Sequence, residues 1–197
     1  MSNESVDGTR RRFLTAATSA VGAVGAAAVV WPFLASLKPS AKAQALGAPV
    51  IADISKIEPG MRSTYLWRGQ PMWVIRRTPE MLEGMKKITG DLLDPESKAP
   101  QQPAYAQNET RAQKPEYMVM KGVCTHLGCS PTFRPDTPAP EIAPDWQGGF
   151  FCPCHGSKFD LAGRVYKGVP APLNMVVPPH RYESDAIVVI GEDPKAA

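Results

Sequence analysis

The sequence predicts a mainly β domain held behind one N-terminal membrane-spanning helix. Three observations predict it. Residues Phe13 to Leu37 include no charged side chain, and a bilayer core needs roughly 20 apolar residues to cross. From Pro49 onward, short β-branched and aromatic runs alternate with turn residues, the pattern of strands in an antiparallel domain. The chain carries 21 prolines, which leave little room for long helix beyond the N-terminus.

Residues 1–12 form a polar segment that ends in Thr9-Arg10-Arg11-Arg12-Phe13-Leu14. It resembles a bacterial twin-arginine export signal. Residues 13–37 are the predicted transmembrane helix, in which Pro32 is tolerated with a kink. Cleavable signals usually carry only about 7–15 apolar residues, so an anchor suits the run better. Ala41-Lys42-Ala43 keeps a cleaved leader and a soluble product as the alternative. Arginines ahead of the run stay in the cytoplasm, which places everything after Lys38 outside. The expectation is a single-pass protein of the bacterial inner membrane with its soluble domain on the periplasmic side. Residues 38–48 are small and polar without apolar periodicity, as in a flexible tether.

Residues 49–197 are the soluble domain. The strands expected are Val50–Ile54, Thr64–Arg68, Met72–Arg77, Tyr117–Val123, Arg164–Tyr166, Met175–Val177 and Ala186–Ile190. Arg68-Gly69-Gln70-Pro71 reads as a tight hairpin. Thr78-Pro79-Glu80 opens a helix, with Thr78 as N-cap and Pro79 in the first turn. Met81, Leu82, Met85 and Ile88 form its apolar stripe, and Gly90 ends it. Residues 91–115 read as irregular, and His180, within Pro-Pro-His-Arg-Tyr, as a loop residue that ligates nothing.

Net charge is only +3, with no basic stripe beyond Arg10 to Arg12, which argues against nucleic-acid binding. The four cysteines fall in two short clusters mixed with histidine. Disulfide-rich small proteins spread theirs along the chain instead. The two segments are Cys124-Thr-His126-Leu-Gly-Cys129 and Cys152-Pro-Cys154-His155-Gly-Ser157. Thiolates and imidazoles suit iron–sulfur clusters and zinc. Structural zinc usually takes Cys-X2–4-Cys and His-X3–5-His in separate halves, which these mixed boxes do not match. Four cysteines allow three pairings, and the sequence does not choose among them.

The two boxes resemble those of the Rieske family, Cys-X-His and Cys-X-X-His. The extra cysteines match the members found in cytochrome bc1 and b6f complexes. Trp67-Arg68-Gly69-Gln70-Pro71, Tyr117 to Cys129 and Gly168-Val-Pro-Ala-Pro-Leu-Asn174 are similar to the ubiquinol–cytochrome c reductase members of proteobacteria. The resemblance implies a Rieske-type antiparallel β domain with a cluster-binding subdomain at about residues 121–172. It implies one [2Fe–2S] cluster, with Cys124 and Cys152 on one iron and His126 and His155 on the other. It further implies a disulfide between Cys129 and Cys154, and a proline loop at Pro170-Ala171-Pro172.

By the same resemblance, Ser157 donates a hydrogen bond to a bridging sulfide, Leu127 forms an apolar docking tip, and His155 meets the substrate. High-potential members carry a tyrosine two residues beyond that serine, whereas this chain carries Phe159. The implied activity takes an electron and a proton from ubiquinol and hands the electron to cytochrome c1, coupled to proton translocation. The implied partners are cytochromes b and c1 in a dimeric complex. The Rieske subunit of another exported oxidoreductase, such as arsenite oxidase, is the alternative.

Overall fold

The computed structural model describes residues 7–194. It divides into two compact units, residues 1–45 and 46–197. The start of the predicted cytoplasmic segment, before Asp7, lies outside the described residues.

Helix α1 spans Gly8–Ser36, so Arg10 to Arg12 lie in its first turns. The Asp7 carboxylate caps it by accepting from the backbone N–H of Thr9 at 2.9 Å and of Arg10 at 3.4 Å, satisfying donors that a helix start leaves free. None of its side chains is buried. A helix apolar on every face needs an apolar surrounding. Among the described residues it is the one helix long and apolar enough to cross a membrane. Helix α2 follows at Ala41–Gly47, where an irregular tether was expected. Ala41, Ala43 and Ala45 are strong helix formers, and the Ser40 hydroxyl accepts the N–H of Ala43.

The second unit is built from three antiparallel three-stranded sheets. The first has the order β1 (Val50–Asp53), β9 (Ile187–Ile190), β8 (His180–Tyr182); the second β2 (Arg62–Trp67), β3 (Gln70–Arg76), β4 (Tyr117–Lys121); the third β5 (Thr132–Arg134), β6 (Gly149–Cys152), β7 (Ser157–Asp160). The mainly β expectation therefore holds. Arg68 and Gly69 join β2 to β3, both with positive φ (52° and 70°), the backbone of a two-residue hairpin whose twist matches its strands.

The second sheet carries a core on each face. Trp73 and Ile75 of β3 and their partners Met120 and Met118 of β4 point one way; Met72, Val74 and Val119 point the other. Period-two alternation dictates this division. The first core also contains Cys124, Cys152, Phe150, Phe159 and Met175. The second takes in Ala52, Ile54, Val188 and Ile190 from the first sheet.

Helix α3 (Pro79–Lys87) is capped by the Thr78 hydroxyl, which accepts the Met81 N–H. It ends at Ile88, before Gly90, which lies in a 3-10 turn at Thr89–Asp91. The segments Arg164–Tyr166 and Met175–Val177 are not strands. Val165 and Tyr166 make single bridges to Phe159 and Leu92, and the N–H of Met175 bonds the Gly163 carbonyl. Turns at Gly163 and around Pro170 and Pro172 stop either segment from pairing further. His180 is no loop residue: it opens β8 and is fully buried. Its ring meets Tyr105 edge-on, which supplies the apolar cover that two flanking prolines had concealed.

Candidate metal centre

Two loops carry the predicted boxes, one after β4 and one between β6 and β7. The first turns back on itself: the Cys124 N–H donates to the Cys129 carbonyl at 2.7 Å, and the Gly128 N–H to the Cys124 carbonyl at 3.1 Å. Gly128 takes φ 84°, a conformation that glycine adopts without strain. The second loop closes through the Gly156 N–H and the Cys152 carbonyl at 2.9 Å. The first loop is reached through Gly122, where a Cβ would fall 2.2 Å from the Trp73 ring. Trp73 in turn stacks on Phe150 of β6, two residues before Cys152. One aromatic pair thus sets both loops against the second sheet.

The structure brings the six cysteine and histidine residues of the two boxes together. Cys129 and Cys154 form a disulfide with Cα atoms 6.7 Å apart, across a sequence separation of 25. The sulfurs of Cys129, Cys152 and Cys154 lie within 4.8 Å of one another. Two of these are spent on the bridge, so only Cys152 keeps a thiol there. Cys124 and Cys152 are free and buried. The rings of His126 and His155 stand edge-to-face, 4.7 Å apart. His155 is exposed and His126 half-exposed, so two imidazoles lie at the surface in front of two enclosed sulfurs.

This donor set fits a Rieske cluster. Burial, and then the neighbouring Cys152, push the Cys124 thiol up, while the His126 backbone N–H and the Ser157 hydroxyl pull it down. A buried thiol of this kind becomes thiolate when a metal supplies the compensating charge.

Ser157 is fully buried at the start of β7. Its Oγ accepts the Ala171 N–H at 3.1 Å, which leaves the hydroxyl proton free to point at sulfur. The Thr125 hydroxyl donates to the Leu173 carbonyl at 2.6 Å, and the Asn174 side chain accepts the Val165 N–H at 2.9 Å. The segment from Ala171 to Asn174 is thereby tied to both metal loops. Thr125 and Asn174 escaped the sequence reading; the polar residue between two ligands was the available signal for Thr125. Leu127 is 71% exposed, an apolar side chain beside the histidines. Phe159 is fully buried in the core with Cys124 and Cys152.

Comparison with known proteins agrees with this geometry. Residues 104–179 match the family model described as Rieske [2Fe-2S] domain. Residues 1–40 match the model described as "Ubiquitinol-cytochrome C reductase Fe-S subunit TAT signal". The chain is 57% identical over 193 residues to the ubiquinol-cytochrome c reductase iron-sulfur subunit of Allochromatium vinosum, covering 98% of this chain and 93% of that one. It is 41% identical to the subunit of that name from Blastochloris viridis, over 96% of this chain and 97% of that one. With the subunit from Rhodospirillum rubrum the figures are 42%, 94% and 93%. One [2Fe–2S] cluster of Rieske type is accordingly the cofactor. The chain belongs to the family of Rieske iron–sulfur subunits of ubiquinol–cytochrome c reductase, an oxidoreductase complex.

Proposed function

We propose that Cys124 and Cys152 hold one iron and His126 and His155 the other, and that the chain carries electrons from ubiquinol to cytochrome c1. The observation that carries this reading is the pair of surface imidazoles 4.7 Å apart in front of two buried free thiols. When bound, the cluster supplies one-electron chemistry at a potential raised by neutral imidazole ligands.

The chain's own residues supply the rest. The exposed His155 accepts a hydrogen bond from the quinol hydroxyl at the ring nitrogen left free of metal, and takes that proton as the electron departs. Leu127 and Leu173, both exposed, seat the quinol ring and keep water away from it. The Cys129–Cys154 bridge holds the two loops at a fixed separation. Ser157 would donate a hydrogen bond from its hydroxyl to the cluster's sulfur, which favours the reduced form.

The second quinol electron goes to cytochrome b, and the divided path couples oxidation to proton translocation in a dimeric complex. The soluble domain, residues 49–197, works on the periplasmic side of the inner membrane, anchored by residues 13–37. Residues 38–48 act as the tether. Helix α2 lies within it with no buried side chain, and seven residues fall short of the ~12–15 that hold a helix unaided. It therefore unwinds at little cost.

The test is the complex purified from membranes. Cytochromes b and c1 co-purify, and ubiquinol elicits the reduced-state EPR signal of a Rieske centre. Leu127→Asp keeps that signal on dithionite reduction and loses it on ubiquinol addition. A normal quinol response in this variant rejects the docking tip, and purification without cytochromes b and c1 rejects the complex.

A further inference from the structure

Behind the metal loops the protein buries more positive charge than negative. Among the described residues the fully enclosed charged side chains are Arg77, Arg111, Arg164 and Asp160, three cations against one anion. Arg164 pairs with Asp160 at 2.7 Å. The other two have no carboxylate bonded to them and are solvated by carbonyls instead. Arg77 donates to the carbonyls of Pro115 and Thr110, both at 2.9 Å, and of Leu161 at 3.4 Å. Arg111 donates to Ala162 at 3.0 Å, to Met175 at 2.8 Å and to the Gln102 side chain at 2.9 Å.

Carbonyl dipoles lower the cost of burying a guanidinium without cancelling its charge. Burial brings both arginines down to about 10, so both stay charged at neutral pH. Asp160 faces both arginines and Arg164 opposes it, so this one carboxylate is shared among three guanidinium groups. Asp94 also faces Arg111. Its oxygens accept the N–H groups of Lys98 and Ala99, and it is partly exposed, where water screens it.

These cations border the cluster's own core. Met175, whose carbonyl Arg111 holds, and Ala112, next to Arg111, pack in one apolar cluster with Cys124 and Cys152. Asp160 ends the strand that Ser157 begins. The metal-bearing segments 121–130 and 149–159 contain Lys121 and Lys158 and no Asp or Glu. The one buried anion nearby, Asp160 at the end of that strand, is bonded to Arg164 and offsets only part of the field.

We propose that Arg77 and Arg111 are positioning charges for the redox reaction: buried cations in net excess over the single anion Asp160, which raise the cluster's potential by stabilising its extra electron. The proposal rests on the cluster reading above. A charge in a low-dielectric interior acts over distances at which a surface charge is screened.

The test uses the full-length protein in detergent, with voltammetry and reduced-state EPR. Arg111→Gln and Arg77→Gln lower the reduction equilibrium constant several-fold, while Arg111→Lys and Arg77→Lys stay near wild type. Asp160→Asn keeps an acceptor for the N–H groups of Ala162 and Arg164 and moves the potential upward. The proposal is overturned by glutamine variants with an intact spectrum and wild-type potential. It is equally overturned by lysine variants that fall with the glutamine ones, which marks a purely structural role. Should the glutamine variants fail to load iron, Asp160→Asn decides: a rise supports the proposal and no rise overturns it. A wild-type protein without a Rieske EPR signal would overturn the cluster reading instead.

Discussion

The hydroxyl of Ser157 accepts the backbone N–H of Ala171 at 3.1 Å, so the strand leaving the second metal loop is bonded to the proline loop. The Ala171 peptide takes one side of this hydroxyl, and on the proposed reading cluster sulfur takes its proton on the other. Ser157→Ala removes both bonds. A lost hydrogen bond worth about 1 kcal/mol favouring the reduced state lowers a one-electron potential by roughly 40 mV. The buried Ala171 N–H left without a partner costs a further ~1–3 kcal/mol of stability. Voltammetry reads the first effect and thermal loss of the visible cluster spectrum the second. A variant with unchanged potential shows that Ser157 only braces the loop.

Phe159 sits opposite Phe150 in the third sheet, fully buried with the free cysteines. A phenyl ring donates nothing to sulfur. Phe159→Tyr is expected to raise the potential by about 40 mV, on the same conversion. The packed core charges the added oxygen about 1–3 kcal/mol of stability. An intact spectrum at wild-type potential shows that the missing hydroxyl does not set this centre's potential.

The Cys129–Cys154 bridge closes a segment of 25 residues. Cross-links of that span contribute about 3 kcal/mol by restricting the unfolded chain. The paired change Cys129→Ser with Cys154→Ser should lower the temperature at which the EPR signal disappears, while the reduced spectrum of the remaining protein stays of Rieske type. Equal thermal stability in the variant argues against a bracing role.

His180 gives the soluble unit an acid-sensitive joint. Its Nδ1 lies 2.9 Å from the Pro178 carbonyl, Nε2 has no partner, and burial lowers its pKa below 6.5. The unfolded chain therefore binds the proton more readily than the native one. Stability is complete above about pH 6.5 and falls as the pH drops toward the folded value. Asp193 faces the ring and partly opposes the shift. His180→Phe should flatten this acid limb in denaturant titrations. A limb as steep as the wild type's assigns the loss to other groups.

The N-terminal apolar helix and the central hairpin were legible because each rests on strong local signals: an uncharged run, and Arg68-Gly69 between two apolar stretches. The metal boxes were legible for the same reason. The third sheet was not. Its strands are three or four residues long, and Gly149, Phe150, Phe151 and Cys152 show no alternation because β6 is the central strand, with only Phe151 half-exposed. The reverse error came at Arg164–Tyr166 and Met175–Val177, where isolated bridges and single backbone bonds never extend into a ladder. Arg77 and Arg111 look like surface cations in one dimension. Only the fold, which aims distant carbonyls at them, explains why they are inside.

The second sheet's two-faced packing has a consequence for how this molecule tolerates change. On β3, Trp73 and Ile75 belong to the metal-bearing core, and Met72 and Val74 to the other. Adjacent residues of one short stretch thus pack into separate cores. Drift at Val74 alters the rigidity of the scaffold, while drift at Trp73 reaches the loops through Gly122 and Phe150. A single strand works like a party wall between two households: either side can be redecorated on its own, but removing the wall empties both.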